Sequence, residues 1–200
     1  MLQSARTTGT MEEATQALQG IQVPNPDALK FAVDRILSSF PVEITFEQGS
    51  KHLPVADELF DSGWVERVFV SQNFITVIRK KDSPQWSEMY RLVRDIVEKH
   101  ILSMKELVPD GSLHPIEEAV PDGEDGKKLA AMLTEKILPA TRGDGGEIRF
   151  DRYEDGVLYV RLSGACDGCP YVSETLSKGI EVLAKREFPE LKGVTSANRE

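Results

Sequence analysis

Between Ser103 and Gly126 the chain reads SMKELVPDGSLHPIEEAVPDGEDG, with three prolines, the turn pairs Asp110-Gly111, Asp122-Gly123 and Asp125-Gly126, and a net charge of −6. Proline lacks the N–H that helices and ladders use, and Asp-Gly pairs favour turns, so regular structure is not expected to run through this stretch. It divides the 200 residues into two small folding units. We place a ragged terminus at 1–20, an N-terminal domain at 21–102, a linker at 103–123 and a C-terminal domain at 124–200. As a flexible coil of about 24 residues, the acidic stretch has an average span of roughly 25–30 Å, which would let the two units move semi-independently.

In the first unit, Leu29 to Val33, Val42 to Phe46, Val65 to Val70 and Phe74 to Ile78 carry the apolar, largely β-branched and aromatic composition of strands. Ser71-Gln72-Asn73 joins the last two as a hairpin. Leu53 to Phe60 reads as a short helix. Trp86, Met89, Tyr90, Val93, Ile96, Val97 and Ile101 recur at steps of three and four, giving one apolar helical face, with Ser83 as N-cap and Pro84 at the first helical position. The second unit reads helix, strand, strand, helix. Leu129, Met132, Leu133 and Ile137 trace a helix that Pro139 ends; Ile148 to Tyr153 and Val157 to Ser163 form a hairpin around Asp155-Gly156. Val172, Leu176, Ile180 and Leu183 mark the second helix, and Val194 falls in a short last strand. The fold class is α+β: two small α/β domains, each a small sheet covered by helices, the first sheet mixed.

A formal charge of −9 argues against nucleic acid, whose binding needs clustered Lys and Arg. No apolar run approaches the roughly 20 residues of a membrane span. The first twenty residues reach Glu12 and Glu13 without an apolar core and read as a cytoplasmic start, with Ser4, Arg6 and the nearby threonines leaving organelle targeting as the alternative.

The two cysteines, Cys166 and Cys169, would close too small a loop for a disulfide to constrain the unfolded chain. They lie in SGACDGCPYVSETL between the end of a strand and the start of a helix, with Pro170 suited to the first helical position. Backbone N–H groups and the helix dipole favour thiolates there, and Gly164 and Gly168 let the backbone approach closely. Such a CxxC pair can ligate an iron–sulfur cluster, hold zinc or work as a thioredoxin-like dithiol. The last would sit near the start of its domain in a strand–helix–strand unit, whereas this pair follows a hairpin. Clusters and zinc commonly take four protein ligands. His52, His100 and His114 have no ligand spacing to the loop and read as surface or packing residues. The simplest completion is a second CxxC from an identical chain, around one [4Fe-4S] centre on a two-fold axis, with [2Fe-2S] as the alternative. Asp144-Gly145-Gly146 reads as an ordinary helix-to-strand connection. Trp64, Phe74, Ile75 and Trp86 read as N-terminal core or, alternatively, as a client-docking surface.

Several spaced motifs together resemble a known family. ILP at the end of a helix, DGGEI at Asp144 to Ile148, GACDGCP at Gly164 to Pro170, ETLSKGIE at Glu174 to Glu181 and FPEL before Val194 look like the C-terminal domain of NifU-like (Nfu) proteins. PNPDALKF at Pro24 to Phe31, ADELF at Ala56 to Phe60 and VERVFVSQNFITVIRK at Val65 to Lys80 resemble the domain that precedes it. The resemblance implies a non-enzymatic scaffold or carrier with Cys166 and Cys169 as its only ligands. It implies a cluster, usually [4Fe-4S], bridged across a homodimer, supplied by upstream assembly proteins and transferred to apo-protein clients. The separate three-cysteine assembly domain and the ferredoxin-like cysteine set of fuller NifU proteins are missing, which favours carriage over assembly.

Overall fold

The computed structural model describes residues 18–48, 53–103, 107, 108, 113, 115–117 and 119–199. In the N-terminal half, strands β1 (Gly20–Gln22), β2 (Ala28–Ala32), β3 (Val42–Thr45), β4 (Val65–Val70) and β5 (Phe74–Arg79) form a sheet in the order β1-β2-β5-β4-β3. Every pairing is antiparallel, where a mixed sheet was expected. Tight hairpins such as the Ser71–Asn73 turn can join only antiparallel neighbours. Strand β1 pairs Gly20–Gln22 with Leu29–Phe31 and so begins in residues assigned above to the ragged terminus.

Helices α1 (Pro54–Asp61) and α2 (Trp86–Ser103) lie against one face of this sheet. Strand side chains alternate in direction, so Leu29, Val68, Ile75 and Val77 enter a core shared with Leu59 and Val93. The intervening residues Ala28, Phe69, Phe74 and Ile78 face the other way and are equally buried, in a cluster that includes Ala165 of the C-terminal half. All six residues of β5 are therefore buried. An antiparallel strand with one wet face would alternate; β5 is covered on both. Phe74 thus lies at the seam between the halves, while Ile75, Trp64 and Trp86 belong to the helix-side core or its margin.

The C-terminal half comprises α3 (Gly123–Met132), a π-helical turn (Leu133–Ile137), α4 (Leu138–Gly143), β6 (Gly146–Glu154) and β7 (Val157–Gly164). It continues with α5 (Val172–Glu174), a second π-helical turn (Thr175–Ile180), α6 (Glu181–Glu187) and β8 (Gly193–Ser196). Strands β6 and β7 form an antiparallel hairpin, and β8 returns parallel to β7 after the helical crossover. Leu129, Leu133, Ile148, Leu158, Val160 and Ile180 lie at the centre of its core. No helix among the described residues is long and apolar enough to cross a membrane.

Three local expectations are corrected. Pro139 does not end the first helix: it sits in the opening turn of α4, where a missing N–H costs little, after the π-helical turn has changed the hydrogen-bond register. Ser83 does not cap α2, because its hydroxyl donates to the Lys80 carbonyl; the N–H groups of Glu88 and Met89 use the Gln85 carbonyl instead. The acidic stretch is also less of a free tether than its composition suggests. Leu107 and Val108 are buried in the N-terminal core, the Ile116 N–H donates to the Pro41 carbonyl, and Asp122 caps α3 through the Gly123 N–H.

Candidate metal centre

Cys166 and Cys169 follow β7 in a turn that ends at the one-turn helix α5. Gly164 (φ 59°) and Gly168 (φ 77°) turn the chain through left-handed conformations that a β-carbon would disfavour. The N–H groups of Cys166 and Asp167 donate to the carbonyls of Ser163 (3.3 Å) and Gly164 (3.2 Å). Both cysteines are free and partly exposed, and both pack at the edge of the C-terminal core. Pro170 lies two residues ahead of α5 and not at its first position.

Beside this turn runs Asp144-Gly145-Gly146, whose Gly145 carbonyl accepts the Ala165 N–H at 3.1 Å. A β-carbon on Gly146 would stand 2.6 Å from the Cys166 nitrogen and 2.8 Å from its Sγ. One on Gly145 would meet Thr76 Oγ1 at 3.1 Å. Beyond joining a helix to a strand, this segment admits Cys166 on one side and the N-terminal half on the other.

The N-terminal sheet reaches the loop directly. Arg67 donates from Nη1 to Asp167 Oδ2 (2.8 Å) and from Nη2 to the Asp167 carbonyl (2.9 Å), gripping the residue that follows Cys166. Glu43 pairs with Arg67 at 3.2 Å and accepts the Gly164 N–H at 2.9 Å. Asn25 Nδ2 donates to the Ala165 carbonyl at 3.0 Å, and Thr76 Oγ1 to the Gly145 carbonyl at 2.7 Å. Lys30 Nζ donates to the Arg142 carbonyl at 2.7 Å, and Ser71 to Glu147 at 2.8 Å. A cavity of about 80 Å³ opens at the thiols, walled by Pro24 and Asn25 from one half and by Thr141, Cys166, Cys169 and Tyr171 from the other.

Electrostatically the site does not favour free thiolates, contrary to the expectation from a helix start. Burial pushes Cys166 far above the ordinary thiol range, and neighbouring Cys169, Asp144, Glu147 and Glu43 push in the same direction. Burial also raises Cys169; the N–H groups of Tyr171 and Val172 reach its sulfur and oppose that rise without overcoming it. The same desolvation lifts the Glu43 carboxyl to about 7, against the pull of Arg67 and the Gly164 N–H. Among the described residues no group of three or more His, Cys, Asp and Glu is placed to hold a metal ion. His100 is committed elsewhere, its Nε2 2.8 Å from Glu58 Oε2; His52 and His114 lie outside the described residues.

Arg67, Glu43 and Asn25 were not singled out from sequence. Arg67 interrupts the apolar run of β4, and a charge in such a run signals a partner across the covered face.

Residues 18–104 match the family model described as scaffold protein Nfu/NifU N terminal, and residues 130–195 match the NifU-like domain. The human "NFU1 iron-sulfur cluster scaffold homolog, mitochondrial" is 28% identical over 182 residues, covering 88% of this chain and 70% of that protein. The protein of the same name from Drosophila persimilis is 28% identical over 183 residues, covering 88% of this chain and 64%, less than two thirds, of the fly protein. A solution structure of a NifU-like protein from Saccharomyces cerevisiae overlaps 55% of this chain and 99% of its own, at 18% identity and a TM-score of 0.42. With the two domain models matched in succession and relatives aligned across most of its length, the chain belongs to the Nfu-type iron–sulfur cluster scaffold family.

Proposed function

We propose that this protein is a non-enzymatic carrier whose cargo is an iron–sulfur cluster, held by Cys166 and Cys169 of two copies of the chain and passed to apo-proteins. The observation that carries this reading is the donor set: two adjacent thiols and, among the described residues, no third ligand placed to complete a metal site within one chain. Four thiolates are the usual complement of a [4Fe-4S] or [2Fe-2S] centre, and a second identical loop supplies the missing pair. We favour [4Fe-4S]. Transfer is a ligand exchange in which thiolates of the recipient replace those of Cys166 and Cys169, with no net oxidation or reduction. Its partners are then a second copy, an upstream assembly protein that loads it and the apo-proteins that receive the cluster, in the cytoplasm.

Anaerobic purification from iron-replete cells, with iron, sulfide and zinc analysis of the wild type, Cys166→Ser and Cys169→Ser, tests this. The wild type should be brown and contain iron and sulfide in equal amounts, and either serine variant should lose both. Colourless wild type with stoichiometric zinc would overturn the cluster reading in favour of a zinc adaptor.

A further inference from the structure

The contacts between the halves converge on one place. The strand face of the N-terminal sheet that its own helices leave uncovered meets the cysteine turn and its flanks. Arg67 takes both the carboxylate and the carbonyl of Asp167, the first residue between the two cysteines. Arg67 is itself nearly buried, with 11% of its side chain exposed, and Glu43 binds it from behind while accepting the N–H of Gly164. Asn25 holds the carbonyl of Ala165, next to Cys166. Gly164 has no room for a side chain because Phe69 occupies it, with an added β-carbon only 2.6 Å from Phe69 Cδ1. Polar, ionic and steric complementarity therefore coincide on the turn from Gly164 to Asp167.

This docking is hard to reconcile with simultaneous sharing of the thiols. Pro24 and Asn25 wall the cavity at Cys166, and its volume of about 80 Å³ holds only a few waters. A cluster bound at Cys166 and a second copy's loop would have to share that mouth with Pro24 and Asn25. The Pro41 carbonyl holds the Ile116 N–H and Arg161 the Glu117 carbonyl, so the chain crosses between the halves over a short span, and separating them costs the seam cluster around Phe69, Phe74 and Ala165 while the two helix-covered cores stay intact.

We propose that the N-terminal sheet is a clamp on the cysteine turn, and that the docked form is a closed state which withholds Cys166 until release of Asp167 by Arg67 lets the sheet move aside for a second copy. This inference rests on the cluster-sharing reading and adds its regulation: the uncovered sheet face and the partner loop compete for one surface. Cys166 lies against Gly146 and next to the Ala165 carbonyl that Asn25 holds, whereas Cys169 stands three residues on, near the exposed Tyr171.

Alkylation of the apo-protein with iodoacetamide, followed thiol by thiol by peptide mass spectrometry, reads the clamp without any cluster. Wild type should label at Cys169 first. Arg67→Ala acts from the sheet and Asp167→Ala from the turn, and each should raise the Cys166 rate at least about tenfold, as expected when a local closing equilibrium is lost. Near-UV circular dichroism of Trp64 and Trp86, both in the N-terminal half, monitors its fold; if Arg67→Ala does not fold, Asp167→Ala decides. An unchanged Cys166 rate in the folded variants overturns the proposal. So does slower cluster loading by the variants despite faster labelling, which would make the contact a positioning device. Because alkylation is measured without iron, a failure of the clamp leaves cluster binding untouched, and a failure to bind iron leaves the clamp result standing.

Discussion

Gly146 lies against Cys166 so closely that a β-carbon there would stand 2.8 Å from Sγ and 2.6 Å from the backbone nitrogen. The nitrogen belongs to a main chain already fixed by Ser163, and a third clash, with the Ser163 carbonyl at 2.6 Å, leaves no direction of relief. Gly146→Ala should therefore displace the cysteine turn, destabilising the protein by about 1–3 kcal/mol, the usual range for overpacking. Denaturant titration measures the cost, and iron content after reconstitution should fall alongside it. Gly143→Ala, where an added β-carbon meets nothing within 4 Å, is the matched control and should bind iron normally.

Glu147 is fully buried and is held by Arg142 at 2.8 Å, Arg149 at 2.6 Å and the Ser71 hydroxyl. Burial penalises its charge, yet the hydrogen bonds and charges of Arg149 and Arg142 prevail and keep its pKa below the ordinary carboxylate value of 4.5. The folded state thus favours the charged form. Its contribution should be complete above about pH 4.5 and fade as the pH falls through the lower folded value. Glu147→Ala should cost about 3 kcal/mol near neutrality, since it removes the buried carboxylate that Arg142 and Arg149 both bind. The stability difference between variant and wild type, followed by thermal unfolding from about pH 7 to about pH 3, should narrow as acid is added.

Phe69 distinguishes docked halves from tethered ones. It faces away from the N-terminal helices and is buried at 0% exposure in the seam cluster, against Phe74 of its own sheet and Gly164 and Ala165 of the C-terminal half. If the halves pack as described, Phe69→Ala leaves a cavity and costs about 3–5 kcal/mol. Were the halves independent, the same side chain would lie on a surface, where substitutions usually stay within about 0.5 kcal/mol. Calorimetry of the variant decides, and a loss below about 1 kcal/mol would argue against the seam.

Much of each half was legible in the residues. Strand β4 matched its expected bounds from Val65 to Val70, and the β4–β5 hairpin, the β6–β7 hairpin and the long helix after Gln85 follow directly from local pattern. Period and turn chemistry are properties of short windows, so they survive without tertiary information. What escaped was set by contacts far apart in the chain. Val65 to Val70 and Phe74 to Ile78 read as strands from their composition, but only the seam explains why both faces of β5 are covered. The upward shift of the thiols escaped for the same reason: helix-start geometry was visible around Cys169, whereas the buried, acidic surroundings of Cys166 come from residues as distant as Glu43. The π-helical turn before Pro139 had no local signal strong enough to contradict a helix stop.

The central claim is that one cluster is shared by the thiols of two chains, and native mass spectrometry of anaerobically reconstituted protein tests it most directly. The account predicts a species of two chains plus one [4Fe-4S] cluster. It also predicts that removing the cluster with a chelator returns the protein to the 22.3 kDa monomer, because metal binding supplies the association energy. A single chain retaining a stoichiometric cluster through the same measurement would contradict it.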